Sequence, residues 1–225
     1  MRRALLGLCA IYTACAQPTV QTADGPVVGS FLGAGATATR SFRGIPYAAP
    51  PINDLRWRAP QPAAPWTEPR NATAFGRDCP QLGPAWLSLG YAPVYAAAED
   101  CLFLNVYTPL PDPAEAPAPD AAEWPVMVYF HAGSITWGAG NDDENNAPPG
   151  ASLAAANNVA LVTFNYRLGA LGFLASEQLK ERDAEGSTGF YGLQVTSCFL
   201  FCWCSCRCSC CCCSCRCACR CCCSC

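Results

Sequence analysis

The stretch Pro125–Gly140, PVMVYFHAGSITWGAG, constrains the fold more than any other part of the chain. Val126–His131 is a short apolar run bounded by turn formers, the signature of a buried strand. It runs directly into Ala132-Gly133-Ser134, small residues that let a backbone turn sharply and approach a ligand closely. Val159–Asn165, VALVTFN, repeats the pattern and predicts a second buried strand, parallel to the first. A parallel strand ending in a Gly-containing loop sets backbone N–H groups at the carboxyl edge of its sheet, where α/β proteins bind ligands. Donors so placed can stabilise an oxyanion.

With these flanks, the loop resembles the strand and HGGG-type oxyanion loop of the type B carboxylesterase and cholinesterase family, a branch of the α/β-hydrolases. Other segments carry the same resemblance. Phe42–Ala48 (FRGIPYA) and Leu55–Pro60 (LRWRAP) are similar to the family's F-x-G-I-P-Y-A and R-[FW]-x-x-P text. Glu99–Val106, EDCLFLNV, fits the EDCL-x-[LIV]-[NDS]-[LIV] signature at every position. Asn165–Leu174 resembles N-Y-R-[LV]-G-x-x-G-F-L, and Gly189–Gln194 continues the family text. The similarity covers about Thr19–Gln194 and stops within a motif, because Val195-Thr196-Ser197 stands where D-Q, a long helix and a G-E-S-A-G nucleophile elbow would follow.

The resemblance implies an α/β fold, the N-terminal part of an α/β-hydrolase with an incomplete central sheet. It implies that Gly133 and Ser134 supply oxyanion-hole N–H groups, supported by His131 and Ala132. Ala132 and Ser134 replace two glycines of H-G-G-G; backbone donors survive such changes, but a Ser at 134 narrows the pocket. His131 is the only histidine, and the family uses this position to orient the loop and not as a base. Cys101 is paired in the family with an upstream cysteine, which fits Cys79, and Glu99 is paired with an arginine matching Arg56. Arg167 is expected to be a hydrogen-bonding hub. The strand beside Val126–Phe130 comes, in the family, from the missing elbow region, so in the chain as written that strand becomes an apolar edge.

Read on its own, the N-terminal half is extended and broken by turns. Strands are predicted at Thr19–Thr22, Pro26–Leu32 and Arg40–Ile45, and six prolines between 46 and 65 exclude a long helix. A short helix is predicted over Ser152–Asn157 with Ser152 as its cap, and another within Ala175–Asp183; Gly169 and Gly172 suit a tight turn between them. Asn71-Ala72-Thr73 is an N-glycosylation sequon in a polar loop.

Residues 1–16 read as a secretory signal: Arg2-Arg3, an apolar run Ala4–Thr13, and Ala14-Cys15-Ala16 before the cut. An ordinary buried N-terminal helix is the alternative. Of 20 cysteines, 16 lie between Cys198 and Cys225, so cleavage leaves Cys79 and Cys101 as the only pair in residues 17–194. An oxidising compartment favours a disulfide between them, whereas a reducing one leaves two buried thiols. Closing that loop contributes roughly 3 kcal/mol in the chain-entropy model.

Charge narrows the function classes. Arg2, Arg3, Arg207, Arg216 and Arg220 lie outside residues 17–194, leaving nine of the 14 Lys and Arg against all 17 Asp and Glu, a net of −8. That balance argues against a nucleic-acid-binding surface, which needs clustered positive charge. No apolar run reaches the length, about 18 residues, that a transmembrane helix requires. Residues 195–225 are expected to be a disordered, low-complexity tail. Adjacent and alternating cysteines lack the C-x₂₋₄-C layout of structural zinc sites, and Ser, Arg and Trp codons are one base from cysteine codons. A translated degenerate repeat at a misassigned gene end fits best; a metallothionein-like or disulfide-linked tail is the alternative.

The sequence contains no G-x-S-x-G, so no catalytic residue is assigned, and neither metal nor cofactor is called for. The leading expectation is the N-terminal part of a secreted serine ester hydrolase, inactive as written, whose completed form takes a small-molecule ester. The alternatives are a non-catalytic cholinesterase-like adhesion module and a non-functional truncated product. No acidic–aromatic choline site is recognisable; Trp86 and Tyr91 are candidate gorge aromatics.

Overall fold

A computed structural model describes residues 17–34, 38–81, 97–110, 124–141 and 150–194. Residues 1–16, read as a signal, the candidate aromatics Trp86 and Tyr91, and the Cys-rich residues 195–225 lie outside the described residues.

Two sheets form. In the smaller, β1 (Thr19–Gln21) pairs antiparallel with β2 (Pro26–Val28), and β5 (Arg70–Asn71) runs parallel to β2. The larger has five strands in the order β3-β4-β6-β8-β7: β3 (Ser30–Leu32), β4 (Thr39–Pro46), β6 (Phe103–Pro109), β8 (Ala160–Phe164) and β7 (Val126–Phe130). The first three pairings are antiparallel, and β7 joins β8 in parallel with Val126 opposite Ala160 and Phe130 opposite Phe164.

The single run read as Pro26–Leu32 is two strands, because the chain changes sheet at Gly29. A Cβ there would fall 2.3 Å from the Ser41 carbonyl oxygen, so only glycine lets β4 come so close. Asn71, expected in a loop, sits in the two-residue β5 opposite Val28.

Both faces of the large sheet are covered near its centre. On one face Phe42, Ile45, Leu102, Leu104, Val162, Phe164, Tyr166 and Leu168 form the main core. On the other, α1 (Gly150–Asn157) packs Ala154 against Tyr107 and Leu161. The helix starts two residues before the expected cap, so Ser152 lies inside it and is not the N-cap. Alanines give α1 good helix propensity and a low profile against the sheet. After β8, the Gly169/Gly172 turn closes as a one-turn helix, α2 (Gly169–Phe173). Then α3 (Glu177–Glu181) begins at Ser176, whose hydroxyl accepts from the Leu179 N–H.

Val126–His131, which the apolar pattern alone reads as buried, is buried only at His131, and its strand part Val126–Phe130 takes the edge position expected for the chain as written. Among the described residues no strand lies beyond β7, and Val126, Met127 and Phe130 are 38–45% exposed. The pattern made the strand apolar, but its position at the edge leaves one side without a covering neighbour.

Candidate functional site

Because β7 and β8 are parallel and in register, their carboxyl ends emerge together at Phe130 and Phe164. The loop from His131 to Asn141 leaves β7 there, and Asn165–Leu168 leaves β8 beside it. The Gly133 carbonyl collects three hydrogen bonds, from the N–H of Thr136 (3.0 Å), the N–H of Trp137 (3.1 Å) and the Thr136 hydroxyl (3.0 Å). This curls residues 133–137 into one tight turn.

The turn runs through left-handed backbone, with φ of +123° at Gly133, +51° at Ser134 and +59° at Ile135. Gly133 is obligatory, since a Cβ would lie 1.8 Å from the Trp137 carbonyl oxygen. Ser134 and Ile135 hold left-handed conformations at a cost of about 1–2 kcal/mol each. Ala132 has no positive φ and is exposed, which is why a Cβ is tolerated at that point. Among the described residues, nothing accepts a hydrogen bond from the N–H of Gly133 or Ser134. Two successive unpaired amides on a turn of this kind make a site suited to a small oxyanion.

His131 lies beneath the turn, 3% exposed. Its Nδ1 is 2.9 Å from the Ala132 carbonyl oxygen and so carries the proton. Its ring stacks on Tyr166 at 4.1 Å, and the Tyr166 hydroxyl donates to the His131 carbonyl at 2.9 Å. Nε2 is buried with no partner among the described residues. Burial pushes the imidazole pKa below its ordinary value, while the bond to Ala132 opposes this, and the ring stays neutral at neutral pH. No hydrogen bond joins it to a serine among the described residues.

The second limb of the loop, Gly138–Asn141, is held by side chains from distant segments. The Gln81 carboxamide donates to the Gly138 carbonyl (3.0 Å) and accepts from its N–H (2.7 Å). The Gly140 N–H donates to Asn165 Oδ1 (2.7 Å), and its carbonyl accepts from Asn105 Nδ2 (2.8 Å) and the Thr163 hydroxyl. Gly140 presses against the Phe164 backbone, where a Cβ would come within 2.6 Å. Asn165 Nδ2 also donates to the Arg77 carbonyl (2.9 Å), and Asn141 Nδ2 to Asp78 Oδ1 (3.1 Å). The Gly169 N–H donates to the Ile135 carbonyl at 2.8 Å, tying the turn to α2.

Gln81 escaped the sequence reading, and Asn105, Thr163, Asn165 and Tyr166 fall within the strand and family-like segments without any role at the site being read from them. Gln81, Asn105, Thr163 and Asn165 meet the loop across 23 to 57 positions, so no local spacing marks them.

Arg167 is buried and donates to the carbonyls of Arg58 (2.9 Å) and Tyr191 (2.8 Å) with its guanidinium over the Tyr191 ring. Burial lowers its pKa to about 10, so it remains cationic at neutral pH and joins the Arg58 loop to the last helical turn. Arg56 meets Glu99 through two charge-assisted bonds, Nε to Oε2 at 2.5 Å and Nη2 to Oε1. That contact raises the already high Arg56 pKa. Cys79 and Cys101 form a disulfide, both fully buried, with Cα atoms 4.9 Å apart. Asn71 is exposed, and its Oδ1 accepts from the N–H (3.0 Å) and hydroxyl (2.8 Å) of Thr73. Among the described residues no group of three or more His, Cys, Asp or Glu is placed to hold a metal, and no helix is long and apolar enough to cross a membrane.

A family model described as "Carboxylesterase family" matches residues 16–195. The chain is 38% identical over 153 residues to the para-nitrobenzyl esterase of Bacillus subtilis, covering 68% of this chain and 29% of that protein. It is 36% identical over 178 residues to neuroligin-2 of Mus musculus, covering 68% of this chain and 20% of that one. Among solved structures, a thermophilic PNB esterase superposes with a TM-score of 0.64 at 34% identity, over 83% of this chain and 34% of its own. The chain thus spans about a third or less of the length of these relatives.

Proposed function

The chain belongs to the carboxylesterase family, and on that premise we propose that it forms the oxyanion-loop portion of a secreted carboxylic ester hydrolase. The described residues are part of an α/β fold shared with esterases. The observation that carries the proposal is the pair of N–H groups at Gly133 and Ser134 that have no partner among the described residues, in the loop that leaves the carboxyl end of β7. A carbonyl oxygen that gains negative charge during ester cleavage is held by such donors, at no reorganisation cost when the backbone is already fixed.

In this reading His131 and Ala132 shape the turn, and His131 takes no part in proton transfer because Nε2 is enclosed. Ser134 projects a side chain where the family has none and restricts the ester it faces. The disulfide Cys79–Cys101 and the Arg56–Glu99 pair are structural, and Asn71 carries a glycan. Residues 1–16 act as a signal, 17–194 form the enzyme portion and 195–225 a low-complexity tail that is not part of it. Residues 17–194 contain no nucleophile elbow, so in this reading turnover of a small-molecule ester is assigned to a product that carries one beyond Gln194.

A second reading has its own support. Neuroligin-2 is among the relatives, and a loop carrying Ala132 and Ser134 would serve equally in an adhesion module without catalysis. Two measurements separate these readings. Sequencing the transcript across Gln194 should find a G-x-S-x-G elbow for the esterase; a substituted serine there supports the adhesion module. An organophosphate probe should leave the chain as written unlabelled, because removing the nucleophile alone lowers turnover on the order of 10⁶-fold. A stoichiometric adduct on any serine would overturn the assignment, with Ser134 the first residue to inspect.

A further inference from the structure

The segment Arg77–Gln81 meets the oxyanion loop directly at two points and through Asn165 at a third, and the Cys79–Cys101 disulfide fastens the segment itself. The Arg77 carbonyl accepts from Asn165, which in turn receives the Gly140 N–H. The Asp78 carboxylate accepts from Asn141. The Gln81 carboxamide closes a two-bond ring with the Gly138 peptide, at 2.7 and 3.0 Å. Between these, Cys79 is bonded covalently to Cys101, two residues before β6.

Gly138 has a φ of +118° and is buried, so its peptide has few other conformations open to it once both its N–H and its C=O are engaged. No other described residue bonds to either group. The two-bond ring is therefore the one fixed point between the strained turn at Gly133–Trp137 and the anchored Gly140.

We propose that Gln81 is a positioning residue, a latch that holds the second limb of the oxyanion loop, and that the Cys79–Cys101 disulfide keeps the latch in place. The latch makes the loop sensitive to thiol reduction: with the disulfide opened, the Arg77–Gln81 segment is held only by hydrogen bonds, and Gly138 is released with it. This deepens the oxyanion-loop reading, but it concerns backbone order and is measurable without catalysis.

The test is amide hydrogen exchange on the full chain at neutral pH, read at Gly138 with Thr39–Pro46 as the remote control. Gln81→Met keeps the volume and removes both bonds; the Gly138 amide should then exchange about three- to tenfold faster, the range of one net hydrogen bond. Gln81→Glu keeps the acceptor and loses the donor, so Gly138 should stay protected in that variant. Reducing the disulfide in the unmutated chain should raise Gly138 exchange at least as much as Gln81→Met does; Cys79 and Cys101 share a core with Phe42 and Ile45, so Thr39–Pro46 serves as the remote control for the Gln81 variants alone. Unaltered Gly138 exchange in Gln81→Met or on reduction, equal deprotection in both variants, or loss of protection at Thr39–Pro46 together with Gly138 in Gln81→Met would each overturn the latch. If the latch holds while an organophosphate labels the chain, only the functional reading falls; if the latch fails without labelling, only the latch falls.

Discussion

Strands β7 and β8 are five residues each, VMVYF and ALVTF, paired in parallel and in register, yet the molecule treats them differently. Every residue of β8 is buried, while β7 has none that is. Their sequences predict the same environment. The difference arises from neighbours: β8 lies between β6 and β7 and beneath α1, and β7 has β8 alone among the described residues. An apolar run therefore marks a strand but not its place in the sheet, and the neighbours decide whether it is covered. The exposed side of β7 lies next to the loop whose Gly133 and Ser134 amides have no partner among the described residues.

The register gives the largest test of this contrast, because Met127 and Leu161 are direct partners. Leu161→Ala should lower stability by about 2–5 kcal/mol, the range for a fully buried leucine. Met127→Ala should cost about 1 kcal/mol, since nearly half of that side chain already faces solvent. Equal midpoint shifts in urea would break the comparison.

Next in size is the disulfide, which fastens the β6 side of the sheet to the loop side. Replacing Cys79 and Cys101 by alanine should cost about 3 kcal/mol for a closed loop of 22 residues. The same urea titration reads it.

A pH titration sharpens the contrast further, because the only imidazole sits under the edge loop and none in the sheet. His131 is neutral in the fold, with its pKa lowered by burial. Below about pH 6.5 the unfolded chain takes up a proton that the folded one refuses. Stability should fall as pH drops from 6.5 toward the folded pKa and recover as pH rises through that window. His131→Gln should flatten this segment of the curve. The smallest effect is expected from Glu99→Gln: the Arg56 side chain is solvent-accessible, and added salt should already weaken the pair in the unmutated protein.

Much of the sheet was legible before the structure. Val126–Phe130 and Ala160–Phe164 emerge from apolar runs closed by turn formers. The errors have physical causes. Gly29 splits a run because β4 passes too close for a side chain, a tertiary fact with no local mark. Ser152 resembles a cap, but Gly150 fits under the Tyr107 ring and lets α1 start earlier. At the site, small residues signalled the turn itself. Its supports were illegible because Gln81, Asn105 and Asn165 each look like an ordinary polar residue until the fold brings Gly138 and Gly140 to them.

The central claim is that β7, the edge strand among the described residues, stays unpaired on its outer side beside a fixed loop, and residue-resolved amide exchange on dilute, unmutated chain tests it most directly. Every amide of Leu161–Phe164 should be protected, whereas Val126–Phe130 should alternate between protected amides facing β8 and fast-exchanging ones facing outward. Uniform protection along Val126–Phe130, matching that of β8, would contradict the account.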